Sequence, residues 1–123
     1  MPTKVELFQN RDFGGARLAI DANTPQLPLP FGNRETSSLK VHTREWVKFY
    51  ENDNFNEDDD VLWIEGDRPD DPNLRNLHTL PRPHGNEHWG DRILSVSFPG
   101  GPPSAETTNC TIYWKNGKIE LRE

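Results

Sequence analysis

Oxygen and imidazole donors crowd into a few short, irregular stretches of this sequence, and these are where chemistry is possible. Asn33-Arg34-Glu35-Thr36-Ser37-Ser38 packs amide, carboxylate and hydroxyl oxygens into one turn. Calcium takes such hard oxygens together with backbone carbonyls, with little side-chain reorganisation. The competing reading is an ordinary polar turn whose side chains satisfy nearby backbone groups. A second concentration, Asp53-Asn54-Phe55-Asn56-Glu57-Asp58-Asp59-Asp60, is dense enough in carboxylates to suggest an EF-hand. It fails that pattern: counted from Asn52, the sixth position is Glu57 rather than glycine and the twelfth is Trp63 rather than a bidentate glutamate. A solvated acidic edge that attracts cations loosely accounts for it.

His78, His84 and His88, with Glu87 beside the last, have the ligand types of a zinc site. Their spacing is not that of a zincin, because His84-Gly85-Asn86-Glu87-His88 puts the glutamate in the wrong slot, and they read as solvent-exposed loop histidines. The four tryptophans read as core anchors, although an exposed Trp89 beside the histidines would suit a binding rim. Cys110, the single cysteine, sits in a segment read as flexible, with no neighbouring base. With no Gly-x-Ser-x-Gly elbow and no phosphate-cradling glycine loop, nothing argues for an enzyme.

The chain that must position these groups has 123 residues, room for one domain with a modest core. Only 32% of it is apolar, so the 6 Phe, 4 Trp and 2 Tyr carry much of the packing. Fourteen Lys and Arg against 20 Asp and Glu give a net charge of −6. That field repels phosphate backbones and anionic membranes, so no nucleic-acid or membrane partner is expected, while cations are attracted. One cysteine forbids an internal disulfide or a thiolate metal cluster. No apolar run is long enough to span a bilayer and no basic-then-apolar leader opens the chain, so a cytoplasmic location is expected.

Apolar residues alternate at period two between Gly, Pro, Asn and Asp clusters, which predicts strands over 4–8, 17–20, 37–42, 46–51, 61–65 and 92–98. Residues 24–32 carry three prolines and read as an irregular crossing. The stretch 66–90 holds at most a short helix after Asp71-Pro72, with Leu74 and Leu77 on its apolar side. Residues 99–110 read as a Pro/Gly-rich linker. Asn116-Gly117, between 111–115 and 118–122, is a strong two-residue hairpin signal, so 111–123 forms a C-terminal hairpin after a main domain of 1–98.

Two segments repeat in order. Phe8-x-x-x-x-Phe13-x-Gly15 is echoed by Tyr50-x-x-x-x-Phe55-x-Glu57, and Asn33-Arg34-Glu35-Thr36-Ser37-Ser38 by Gly90-Asp91-Arg92-Ile93-Leu94-Ser95. One copy reads physically as an aromatic pair bracing a hairpin folded over its own sheet, with glycine where a side chain would collide and a later serine tying the hairpin down. Together with Trp46 and Phe49-Tyr50-Glu51, and with Asp71-Pro72-Asn73-Leu74 followed by Trp89-Gly90-Asp91-Arg92-Ile93, this pattern resembles the Greek-key motif of the βγ-crystallin family, especially its single-domain microbial members. The resemblance covers roughly residues 4–98 and implies an all-β sandwich of two Greek keys, to which the hairpin is an addition.

The resemblance also implies calcium sites. Carried over by position, site 1 takes Asn33, the Arg34 carbonyl, the Ser37 hydroxyl and the Glu51 carbonyl; site 2 takes Asp91 with Gln9. Three departures weaken the match: Arg34 brings a guanidinium near a cation unless it swings into solvent, and Gly90 and Leu94 remove ligands from site 2. Glu57 stands where the motif has glycine, so either it is strained or Asn56 absorbs the turn. The leading expectation is a non-enzymatic protein, monomer or weak dimer, stabilised by Ca2+ at site 1 with site 2 weak or absent. One alternative is an inhibitor- or toxin-like interaction module using the 66–90 loop or the terminal hairpin. Another is a structural crystallin whose sites have decayed.

Overall fold

The computed structural model describes residues 2–84 and 87–123. Its eight strands are β1 (Val5–Phe8), β2 (Arg17–Ile20), β3 (Ser38–Val41), β4 (Val47–Tyr50), β5 (Val61–Ile64), β6 (Ser95–Ser97), β7 (Cys110–Tyr113) and β8 (Ile119–Arg122). Helix among the described residues is confined to single 3-10 turns. One sheet runs β2-β1-β3 and the other β6-β4-β5-β7-β8. The all-β architecture expected from the sequence is therefore present, and β1 to β3 and β4 to β6 make the same antiparallel arrangement twice.

The two copies are interlocked by exchange of their third segments. Thr24 bridges to Val96, with Thr24 N–H donating to the Val96 carbonyl at 2.8 Å and Val96 N–H returning to Thr24 at 3.1 Å. In the reverse direction Arg68 bridges to Val41, and Leu39 N–H donates to the Leu74 carbonyl at 3.0 Å. The proline-rich crossing of 24–32 is thus the first copy's arm laid on the second sheet. Its counterpart lies within the 66–90 stretch. That stretch contains a turn in which Leu74 and Arg75 N–H groups both donate to the Asp71 carbonyl, and a separate 3-10 turn at Leu77–Thr79.

Alternation sends Val5, Leu7, Leu39, Val41, Val47, Phe49, Leu62 and Ile64 between the sheets, all fully buried. The long stretch completes this core with Leu74, Leu77, Leu80 and Trp89, also fully buried. Trp89 is a core anchor, not a binding rim: its Nε1–H donates to Thr111 Oγ1 at 3.0 Å, and that hydroxyl donates to the Pro81 carbonyl at 2.7 Å.

The duplicated hairpins match closely. Phe8 and Phe13 rings lie 5.4 Å apart at 56°, and Tyr50 and Phe55 rings 5.6 Å apart at 58°. Each turn reverses through two left-handed residues, Asp12 and Phe13 in one copy and Asn54 and Phe55 in the other. Ser38 Oγ accepts from Phe13 N–H at 3.0 Å and donates to the Asn10 carbonyl at 2.6 Å; Ser95 Oγ does the same for Phe55 at 3.3 Å and Asn52 at 2.6 Å. Gly15 has φ +73°, and a Cβ there would lie 2.6 Å from the Asn10 amide nitrogen. Glu57, at the matching position, is not left-handed, and neither is Asn56, whose φ is −75°. The second hairpin has a longer path to its next strand, so it needs no reversal there, and Glu57 pairs with Lys48 at 2.7 Å.

The terminal hairpin is part of the second sheet. β7 runs parallel to β5, placing Cys110 opposite Val61 and Tyr113 opposite Ile64, and β8 closes the edge. Cys110 opens β7 instead of lying in a flexible segment. It is fully buried with Ile112 in a second apolar cluster on the outer face, beside Tyr50, Val61 and Trp63. Burial pushes its thiol up to about 11, which disfavours the thiolate form.

Two outcomes follow. A chain ending at Phe98 loses Cys110, Ile112 and Tyr113 from both clusters and should show no cooperative thermal transition; a sharp melt would contradict this. Ser38→Ala leaves the Phe13 N–H and Asn10 carbonyl without their partner and should lower stability by about 1–3 kcal/mol in urea unfolding, against no change if the hydroxyl is dispensable.

Candidate metal centre

Arg34 and Asp91, equivalent in the repeat, share a left-handed backbone, with φ of +63° and +60°. Ser37 N–H donates to the Phe8 carbonyl and the equivalent Leu94 N–H to the Tyr50 carbonyl, both at 2.9 Å. The fifth residue of each turn therefore sits against the braced hairpin of its own copy. The second residue reaches the other copy, because the arms between have been exchanged.

This crossing regroups the ligands expected from the sequence. Ser37 Oγ donates to Asp91 Oδ1 at 3.2 Å, so it joins the residue assigned to site 2. Asp91 N–H is held by the Thr36 carbonyl at 2.9 Å. Gln9, in the hairpin beside them, donates its amide to Glu35 Oε1 at 2.7 Å. At the other end, Arg34 does not swing away: its guanidinium Nη1 donates to the Glu51 carbonyl at 3.1 Å. Asn33 is exposed at the end of a short 3-10 turn, and no hydrogen bond among the described residues joins it to the rest of site 1. The set Asn33, Arg34, Ser37 and Glu51 is thus not one cluster. The oxygen-bearing pairs are instead Ser37 with Asp91 and, on the hairpin whose Phe8 carbonyl holds Ser37 N–H, Gln9 with Glu35.

The Glu51 side chain points to separate work. Its carboxylate meets Arg82 at 2.5 Å and accepts the Asp60 N–H at 2.9 Å, while His84 Nδ1 lies 2.7 Å from Asp60 Oδ1. Burial raises the Glu51 carboxyl above its ordinary value, against the lowering by the Asp60 amide and Arg82. These contacts pin the long 66–90 stretch to β4 and β5.

The loop histidines depart from the expectation of exposure. His78 and His88 ring centroids lie 4.6 Å apart at a tilt of 44°, and His78 Nε2 lies 3.5 Å from Asp91 Oδ2. His88 is held below its ordinary value by burial first and by His78 second. Only His84 is well exposed. Gly90 explains the packing: a Cβ there would fall 2.4 Å from the His78 ring. The glycine that replaces an oxygen ligand in the second turn is what admits the imidazole. The sequence singled out His78 only as an exposed loop histidine and assigned Glu35 to no site. Glu35 had a usable signal, since it stands two residues before Ser37 and extended chain puts such residues on one side; the approach of His78 to Asp91 had none.

Among the described residues no group of three or more His, Cys, Asp or Glu side chains forms a ready-made metal centre. The donor set at Ser37 and Asp91 fits a hard divalent cation all the same, because it brings a carboxylate and a hydroxyl oxygen to one point. The set at Arg34, Glu51 and Leu94 does not fit, offering a guanidinium and an alkyl group beside one carbonyl.

Comparison with known proteins agrees with this fold. The Beta/Gamma crystallin family profile matches residues 4–69, more than half of the 123-residue chain, and the chain belongs to that family. A search of curated proteins returns no match. Among solved structures, a βγ-crystallin from an archaeon is 17% identical with a TM-score of 0.58, covering 78% of this chain and 96% of its own. A βγ-crystallin domain from Clostridium beijerinckii is 22% identical with a TM-score of 0.53, covering 80% and 99%. A clostrillin double mutant in complex with nickel is 23% identical with a TM-score of 0.51, covering 78% and 97%. At these identities the likeness shows the shared fold. βγ-Crystallins are generally structural or binding proteins, and calcium binding is typical of them.

Gly90→Ala should displace the His78 ring and lower stability by about 1–3 kcal/mol, and adding His78→Ala should recover most of that loss. A double variant no more stable than Gly90→Ala alone would show that the glycine serves the backbone and not the ring.

Proposed function

We propose that this chain is a non-enzymatic, calcium-binding βγ-crystallin that holds one ion at the turn where its two copies meet, on Gln9, Ser37 and Asp91, with Glu35 supplying further negative charge. The observation that carries the reading is the Ser37 hydroxyl against the Asp91 carboxylate at 3.2 Å, which joins oxygens from both copies at one point. Bound calcium would supply a divalent charge there in place of that hydrogen bond. Family membership supports the choice of calcium, and the oxygen chemistry of the donors suits it.

The consequence is stability. Ser37 belongs to one copy and Asp91 to the other, so an ion held by both ties the halves together in the folded state alone. At about 100 times its dissociation constant such a ligand adds about 2.7 kcal/mol.

A second reading, a structural crystallin that needs no ion, is favoured by one observation, the guanidinium already seated on the Glu51 carbonyl. Thermal melts in millimolar calcium and in chelator separate the two. Calcium should raise the melting temperature, Asp91→Asn should abolish the rise, and Ser37→Ala should weaken binding by about an order of magnitude. Superimposable melts with no heat of binding would remove calcium from the account.

A further inference from the structure

We infer that Arg34 is a tethered cation standing where a second divalent ion would otherwise bind, and that together with Leu94 it holds the chain to a single ion. The two turns are equivalent in backbone: Arg34 and Asp91 share left-handed φ of +63° and +60°, and Ser37 and Leu94 make the same 2.9 Å bond to the hairpin of their own copy. Where Asp91 meets a serine hydroxyl, Arg34 meets the Glu51 carbonyl, and Leu94, 8% exposed, fills the place of the hydroxyl. The difference between the halves lies in two side chains on a common frame.

Charge makes the exchange intelligible. The hairpin that receives Arg34 carries Asp53, Glu57, Asp58, Asp59 and Asp60, with Lys48 on Glu57 and Arg82 near Asp60, whereas the other carries Asp12 with Arg11 and Arg17 nearby, so the first stays the more acidic. The more acidic hairpin would be the stronger attractor of a free cation, yet it is the one given a guanidinium. An arginine is always charged, donates without accepting, and cannot be removed by a chelator. The acidic end is thereby neutralised in part whether or not calcium is present, and a metal approaching the Glu51 carbonyl meets like charge.

The ion count of the native chain rests on the function proposed above, but the role of Arg34 does not, and titration calorimetry with calcium distinguishes them. Arg34→Asp combined with Leu94→Ser should bind one more calcium ion than the native protein. With Asp91→Asn added, the triple variant should still bind one, while Asp91→Asn alone binds none. If the native chain binds none and the double variant binds one, the first site is wrong and this inference stands. Leu94→Ser places a hydroxyl in a buried position and can unfold the chain; Arg34→Asp alone, whose backbone matches that of Asp91, should then show a second, weaker binding event. A folded Arg34→Asp or double variant that binds no more calcium than the native protein overturns the inference.

Discussion

Each half of this molecule depends on one serine hydroxyl holding a folded-over hairpin against its sheet. Ser38 and Ser95 each satisfy an N–H and a carbonyl of a turn that reverses through two left-handed non-glycine residues. Such residues cost free energy wherever they occur, and the aromatic pair and the serine are what offset it. With the hairpin fixed, its carbonyls at Gln9 and Glu51 are fixed too. The backbone bonds of Ser37 to Phe8 and of Asp91 to Thr36 then set where the Ser37 hydroxyl and the Asp91 carboxylate meet.

The exchange of arms turns two copies into one body with two junctions. Because Thr24 lies on β6 and Arg68 on β3, neither copy completes its sheet alone, and each junction draws its groups from both. One junction kept oxygens, at Ser37 and Asp91. The other took a guanidinium and a leucine, at Arg34 and Leu94. The terminal hairpin joins the second sheet alone: β7 pairs with β5, and the cluster there holds Tyr50, Val61 and Trp63 with Cys110 and Ile112.

The fold was legible because its signals are local. Alternation marked the strands, Asn116-Gly117 marked the last hairpin, and the spacing of Phe8 with Phe13 and of Tyr50 with Phe55 marked the repeat. The candidate site was legible only as a list of residues. Its grouping depends on which segment crosses to which sheet, so Ser37 was set beside Glu51 when the crossing sends it to Asp91. Burial in the long stretch was equally hidden. Leu74, Leu77 and Leu80 recur every third residue but lie on two separate turns instead of one helix face, and the packing of His78 over Gly90 joins residues twelve apart with no pattern between them.

The account stands or falls on where a divalent ion sits, and a crystal structure grown in millimolar calcium reads that directly. It should show one ion with the Ser37 hydroxyl and the Asp91 carboxylate at about 2.3–2.6 Å, and Arg34 still on the Glu51 carbonyl. An ion at Glu51 with Arg34 displaced, or a well-ordered crystal with no ion at Asp91, would contradict it.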